Sequence, residues 1–277
     1  MSIQYTKFFP YQKPRQSQDK AIQFAINAFE SGKKYVVIEA GTGVGKSAIG
    51  LTISQYVSNK NNPLEEGISR GSWYLTTQKV LQDQYIKDFG KLGMRTIKSA
   101  SNYQCTFKKG NDCSETQKLI QVEEKGSKLW NACAFNCHYK KDKEAFIDAT
   151  ESVTNFPYFL TEASYSGKIT PRELLVVDEA HNIESELSKF VEIAVSERFV
   201  KTLIKPGFGN VRTQHQAHLW MRDVYYPKLM SHMKHIKSMT EKFSGMRDAI
   251  KKDFVKISRQ LDLVSSHYQK IKTILNI

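Results

Sequence analysis

The stretch that most restricts how this chain can fold is a β-branched run, Tyr35-Val36-Val37-Ile38, followed at once by Glu39-Ala40, a glycine turn from Gly41 to Gly45, and Lys46-Ser47. Helical spacing then runs from Ala48 to Val57. Strand, glycine turn and helix in that order frame a phosphate-binding loop, with Ala40 where the strict pattern begins with glycine. Glycine is needed because the backbone must bring several N–H groups onto phosphate oxygens through conformations that a Cβ obstructs. In this reading Lys46 reaches the β and γ phosphates of ATP and the Ser47 hydroxyl binds Mg²⁺. The following helix adds its N-terminal dipole, so Gly41, Thr42, Gly43, Val44, Gly45, Lys46 and Ser47 are the expected nucleotide contacts.

The surroundings extend this unit into a layered fold. Ala21 to Phe29 has helical spacing closed by Ser31-Gly32, and a polar loop from Asn59 to Gly71 precedes a second short strand, Ser72 to Leu75. A helix over Lys79 to Phe89 follows, and a third apolar run is Leu174 to Val177. Short buried runs alternating with helices predict an α/β fold with a parallel sheet covered on both faces.

Asp178-Glu179-Ala180-His181 emerges directly from the third run, at the end of a strand where open α/β sheets bind their ligands. Asp178 is placed to hold Mg²⁺ and Glu179 to orient and deprotonate an attacking water. His181, two residues on, is placed to sense the nucleotide across the cleft. A charge pair at the start of the helix expected from Asn182 to Phe190 would look the same in isolation. The upstream phosphate loop makes the catalytic reading the stronger one.

Between the second and third strands lie 98 residues, far more than one crossover needs, so an insertion is expected there. It holds every cysteine of the chain: Cys105, Cys113, Cys133 and Cys137, separated by 7, 19 and 3 residues. Four thiolates suit Zn²⁺ or a [4Fe-4S] cluster, and the absence of Cys-x-x-Cys pairs favours the cluster.

Charge narrows the partner. Lys and Arg number 41 against 28 Asp and Glu, a formal net charge of +13, and Val211 to Ile277 alone carries 13 basic and 5 acidic residues. Such an excess points to a polyanion, most often nucleic acid. No apolar run approaches the roughly 18 residues of a membrane span. Met1 to Phe9 is too short and polar for a signal peptide, so an intracellular protein is expected, cytoplasmic or, in a eukaryote, nuclear.

Taken together, the phosphate loop and the Asp-Glu-Ala-His box resemble the superfamily 2 helicases. Pro10 to Gln18 is similar to the segment that precedes their first motor strand, which implies that Arg15 and Gln18 approach the adenine. Ser101-Asn102-Tyr103-Gln104-Cys105, Cys137-His138-Tyr139 and Thr154 to Leu160 resemble segments of the XPD/DinG family of iron-sulfur DNA helicases, although proline is usual at the place of His138. Tyr74-Leu75-Thr76-Thr77-Gln78 is similar to their second motor motif. The resemblance runs from Phe9 to about Glu186 in matching order.

It implies a [4Fe-4S] cluster on Cys105, Cys113, Cys133 and Cys137, although the 7 and 3 residue gaps are shorter than in several members. It also implies nucleic-acid contacts at Thr76, Thr77, Gln78 and Tyr103, and an ATP-driven motor acting on single-stranded DNA and duplex junctions. The implied layout is a RecA-like motor domain over 1–98 and 151–195, an iron-sulfur insertion over 99–150, and a helical arch-like region over 196–277. That last region is expected to hold helices over Pro227 to Phe243 and Ala249 to Leu275. No second motor motif set follows His181, so the chain is expected to be the N-terminal part of a larger helicase, either a truncated product or one half of a split pair whose second chain supplies motor domain 2, and a nucleotide- and nucleic-acid-binding module without turnover is the competing reading.

Overall fold

The structure, a computed structural model, describes residues 4–60, 63–205, 207–242 and 251–276. Phe243 and Ala249, at the ends of two expected helices, lie outside the described residues, as do Asn61 and Asn62 of the polar loop. The chain divides into two compact units, residues 1–99 with 138–190, and residues 100–137 with 191–277.

The first unit is an α/β layer structure on a four-stranded parallel sheet, consistent with a RecA-like domain. Its strands are β1 (Ser69–Thr76), β2 (Arg95–Thr96), β3 (Glu151–Asn155) and β4 (Arg172–Val177), in the spatial order β2-β3-β1-β4. β1 pairs with β3 on one side and β4 on the other, and is buried from Gly71 to Thr76. Gly71 is required where it stands: its φ is 101°, and a Cβ would lie 2.1 Å from the Thr150 carbonyl oxygen.

α1 (Gln16–Glu30) and α2 (Lys46–Ser58) cover one face, burying Ile22, Ile26, Ile49 and Leu51 in a core shared with Tyr74 and Val153. α1 ends as its sequence requires, with Ser31 at the cap and Gly32 at φ 80°. α3 (Lys79–Phe89) follows β1 and buries Tyr85 and Phe89 against the same core. On the other side Trp73 packs on Phe146 with ring centroids 5.1 Å apart, and the Arg172 guanidinium lies 3.6 Å from the Trp73 ring centroid.

One expected strand differs. Among the described residues, Tyr35 to Ile38 carries no ladder pairing, and Tyr35 and Val37 are 89% and 84% exposed. Val36 and Ile38 still pack on the core, so the segment keeps a strand's alternation without a strand's partner.

The second unit joins the cysteine-bearing insertion to the C-terminal helices. Its insertion part holds α4 (Cys113–Ile120) and α5 (Lys128–Phe135). α6 (His138–Asp148), which the sequence placed in the insertion, belongs to the first unit, as does α7 (Phe156–Tyr165). α8 (Ile183–Val191) follows β4, and the helices after it are α9 (Glu197–Leu203), α10 (Gln214–Trp220), α11 (Tyr226–Lys242) and α12 (Lys251–Leu275). Val200, Tyr225, Leu229, Val264 and Ile271 form their core, where the Tyr225 hydroxyl meets His267 Nε2 at 2.9 Å and Tyr226 stacks on Tyr268. α4 is fastened to α12 by Arg259 to Glu115 at 2.9 Å and by a Lys118–Asp262 ion pair. No helix among the described residues is long and apolar enough to cross a membrane.

Candidate nucleotide site

The phosphate loop is held open by glycine geometry and tied down from α1. Gly43 and Gly45 have φ of 78° and 84°, left-handed values that a side chain resists. Arg15 Nη1 donates to the Gly43 carbonyl at 3.1 Å, and Gln18 Nε2 donates to the Val44 carbonyl at 2.9 Å. The Gln18 amide oxygen accepts from the Arg15 backbone N–H at 2.9 Å, so one glutamine closes the start of α1 and steadies the loop together. Gly45 has a second reason to be glycine, since a Cβ there would lie 2.6 Å from Gln18 Nε2. The two residues expected near the adenine thus brace the phosphate loop, with Gln18 buried and Arg15 exposed. Thr42 is exposed, while Lys46 and Ser47 are partly covered at the first turn of α2.

Lys46 and the acidic box meet. Lys46 Nζ donates to the Ala40 carbonyl at 3.3 Å and stands 3.7 Å from Glu179 Oε1. The second Glu179 oxygen lies 3.4 Å from His181 Nδ1, and His181 Nε2 meets the Asn182 amide at 3.0 Å. Glu179 has φ 54°, uncommon for a non-glycine residue and costing on the order of 1–3 kcal/mol. The turn holding it is fixed by Asp178, whose N–H donates to the Leu75 carbonyl at 2.9 Å and whose Oδ1 accepts from the Glu179 N–H at 3.0 Å.

Sequence reasoning missed Tyr85. Its hydroxyl donates to Asp178 Oδ2 at 3.2 Å from a buried position on α3. Burial, reinforced by Asp178 and then Glu179, holds the phenol well above its ordinary pKa, so it remains a donor to the carboxylate. It lies within the helix expected over Lys79 to Phe89, and no motif sets it apart. Oxygen donors of this kind, the Ser47 hydroxyl and the Asp178 carboxylate, suit Mg²⁺, a hard cation.

The residues expected to meet nucleic acid fall in both units. Thr76 is fully buried at the end of β1 and donates to the Gln78 carbonyl at 3.1 Å, which makes it a shaper of that turn and leaves it no surface for a ligand. Thr77 is partly exposed and Gln78 exposed, while Tyr103, in the second unit, is partly buried.

The four cysteines form no disulfide and all lie in the second unit. Cys113 Sγ lies 3.7 Å from Cys137 Sγ, and burial together with Cys137 and then Cys133 pushes the Cys113 thiol up to about 12. The donor chemistry fits a thiolate-bound metal or cluster. Even so, among the described residues no group of three or more His, Cys, Asp or Glu converges closely enough to hold a metal ion.

Residues 11–206 match the model of one protein family, ResIII, described as type III restriction enzyme, res subunit, and a comparison with curated proteins gives no match. The matched span includes the phosphate loop, the acidic box and every strand of the sheet. With that match over most of its length, the chain belongs to the ResIII family of helicase superfamily 2-like, ATP-dependent nucleic-acid motors.

Proposed function

We propose that this chain is the nucleotide-binding part of an ATP-dependent DNA translocase or helicase of the XPD/DinG-like iron-sulfur class. The observation that carries the ATP-hydrolysing part is the pairing of Lys46 with Glu179 across 3.7 Å, at the mouth of a loop built on left-handed glycines. In that arrangement Lys46 and the loop amides bind the phosphates, and Ser47 and Asp178 hold Mg²⁺, which when bound offsets charge on the transferring phosphoryl group. Glu179 accepts the proton of the attacking water, and His181 follows the state of Glu179 through their 3.4 Å contact.

The DNA part rests on charge and on resemblance. The net +8 of Val211 to Ile277 suits a phosphate backbone, and Thr77, Gln78 and Tyr103 are assigned to the strand. Cys105, Cys113, Cys133 and Cys137 are assigned to a [4Fe-4S] cluster, with Zn²⁺ as the competing occupant. A second motor domain, in the same protein or in a second chain, completes the cleft, and the setting is intracellular.

Fluorescence anisotropy with single-stranded DNA, single-stranded RNA and a forked duplex, each with and without Mg-ATP, tests this reading. Tighter binding of single-stranded DNA or the fork than of RNA, with a linear fall of log K against log salt, is the expected result. Equal affinity for RNA would remove the DNA assignment and leave a general nucleic-acid motor.

A further inference from the structure

The cysteine-bearing insertion has little apolar interior of its own. From Ala100 to Cys137 it runs for under about 40 residues, a size at which a chain ordinarily needs a metal, a disulfide or a neighbour to hold its shape. None of its described residues belongs to either hydrophobic core, and its buried apolar side chains among them are Cys113, Leu119, Ala132 and Cys133. What fixes Cys113 is therefore largely polar.

Cys113 opens α4, and its N–H donates to the Tyr103 carbonyl at 2.7 Å. Asp112 before it and Glu115 after it cap the helix reciprocally. Asp112 Oδ1 accepts from the Glu115 N–H at 2.9 Å and from the Ser114 hydroxyl at 2.8 Å, and Glu115 Oε2 accepts from the Asp112 N–H at 3.0 Å. Each carboxylate thus uses one oxygen on the turn around Cys113. The other two, Asp112 Oδ2 and Glu115 Oε1, lie 3.4 and 2.9 Å from a single nitrogen, Arg259 Nη2 on α12. One turn further on, the Lys118–Asp262 pair repeats the link with a step of three residues on each helix. α12 is itself anchored, because its Val264 and Ile271 lie in the core of the C-terminal helices.

We propose that Arg259 is the positioning residue for Cys113: from α12 it clamps the Asp112–Glu115 capping box and so sets the place and accessibility of the thiol. The clamp needs both carboxylates in their capping geometry, since that is the arrangement in which Oδ2 and Oε1 converge on one nitrogen. It couples the C-terminal helices to the cysteine site, and by linkage whatever shifts α12 changes the hold on Cys113. That Cys113 grips a metal or cluster rests on the reading above, whereas its positioning by Arg259 does not.

The test uses the full chain after chelator treatment and follows alkylation of each cysteine by N-ethylmaleimide with peptide mass spectrometry. Arg259→Ala should speed modification of Cys113 by about three- to fivefold, as suits a partly exposed ion pair, and leave Cys133 on α5 at the parent rate. Arg259→Glu, which repels both carboxylates, should exceed that effect, and Arg259→Lys, which keeps the charge, should recover part of the protection. Equal Cys113 rates in the parent and Arg259→Ala would overturn the proposal, as would a proportional rise at Cys133, the sign of general loosening. A Co²⁺ titration, read by thiolate charge-transfer absorbance, examines the occupied state: Arg259→Ala should bind several-fold more weakly than the parent, and equal affinities would again overturn the clamp. A parent that shows no thiolate bands would remove the metal reading alone, because the alkylation rates decide the clamp without it.

Discussion

Lys46 and Glu179 form an ion pair at 3.7 Å, and the same ammonium donates to the Ala40 carbonyl. Both side chains are about one-third exposed, 32% and 35%, so their attraction is moderated by water and is of order 1 kcal/mol or less. In the proposed nucleotide site, the carboxylate competes with phosphate for the lysine. Glu179→Gln should therefore bind Mg-ATP equally or a few-fold more tightly while abolishing turnover in any assembly that hydrolyses ATP. A nucleotide titration beside a phosphate-release assay checks this, and a variant that loses binding as well would make Glu179 a structural residue of its turn.

In the proposed site, Asp178 and its hydrogen-bond partner Tyr85 stand on the metal side. Asp178→Ala should weaken the Mg²⁺ dependence of ATP binding, read as the Mg²⁺ concentration at half saturation. Tyr85→Phe keeps the ring in its core and removes one hydrogen bond to a charged acceptor, a loss of roughly 1.5–3 kcal/mol. It should shift the same Mg²⁺ midpoint less than Asp178→Ala does, and an unchanged midpoint would separate Tyr85 from the metal.

The brace between Gln18 and the phosphate loop has a steric signature. Gly45→Ala places a methyl 2.6 Å from Gln18 Nε2 and forces a left-handed φ on alanine, so ATP affinity should fall by tenfold or more, about 1.4 kcal/mol. Adding Gln18→Ala removes the clash but not the φ strain. The double variant should then recover part of the loss, and strict additivity in the cycle would show that the two residues do not couple.

Much of this site was legible because its chemistry needs fixed residue types at fixed spacing. The glycines, Lys46, and the Asp178 to His181 box all lie in the first unit, and Arg15 and Gln18 reach the loop, though as braces of its carbonyls. The sheet was harder to read. β3 went unnoticed because Glu151-Ser152-Val153-Thr154-Asn155 looks polar, yet Glu151 through Thr154 are buried. Their polar groups are satisfied inside the core: Ser152 Oγ donates to the Phe146 carbonyl at 2.6 Å and Thr154 Oγ1 to the Ile97 carbonyl at 3.0 Å. Hydropathy cannot register a hydrogen bond made 57 residues away. Tyr35 to Ile38 fails in the opposite sense, since its β-branched pattern suits a strand, yet it pairs with no strand among the described residues.

Glu151 gives a pH signature. Burial raises its carboxyl from 4.5 to about 7, against the lowering effect of the Ser54 hydroxyl, which donates at 2.8 and 2.9 Å. The folded state thus holds a proton that the unfolded state releases between pH 4.5 and 7. Its stabilising contribution is full below pH 4.5 and is lost as pH rises toward 7, by about 3 kcal/mol at most. His267 has the opposite sign: burial, then Lys270, lowers its pKa, so stability is lost as pH falls below its unfolded value. Thermal melts of the parent and Glu151→Gln from pH 4.5 to 7.5 separate the two. The difference between the proteins should shift steadily toward the variant as pH rises, and a difference independent of pH would rule out Glu151 as the group responsible.

The cysteines separate two chemistries by analysis alone. Anaerobically purified chain should contain iron and acid-labile sulfide with broad absorbance near about 400 nm, as thiolate-ligated clusters do. Any one of Cys105→Ser, Cys113→Ser, Cys133→Ser or Cys137→Ser should bleach it. One zinc per chain without sulfide would make the insertion a zinc-stabilised element.

Titration of Mg-ATP into the parent chain and into Lys46→Ala, by calorimetry or with a fluorescent analogue, tests the nucleotide site most directly. Removing the ammonium takes away charge-assisted bonds to two phosphates, so the parent should bind one Mg-ATP per chain and the variant at least roughly 100-fold more weakly. Equal affinity in the two proteins would contradict the assignment of the Gly41 to Ser47 loop as the phosphate site.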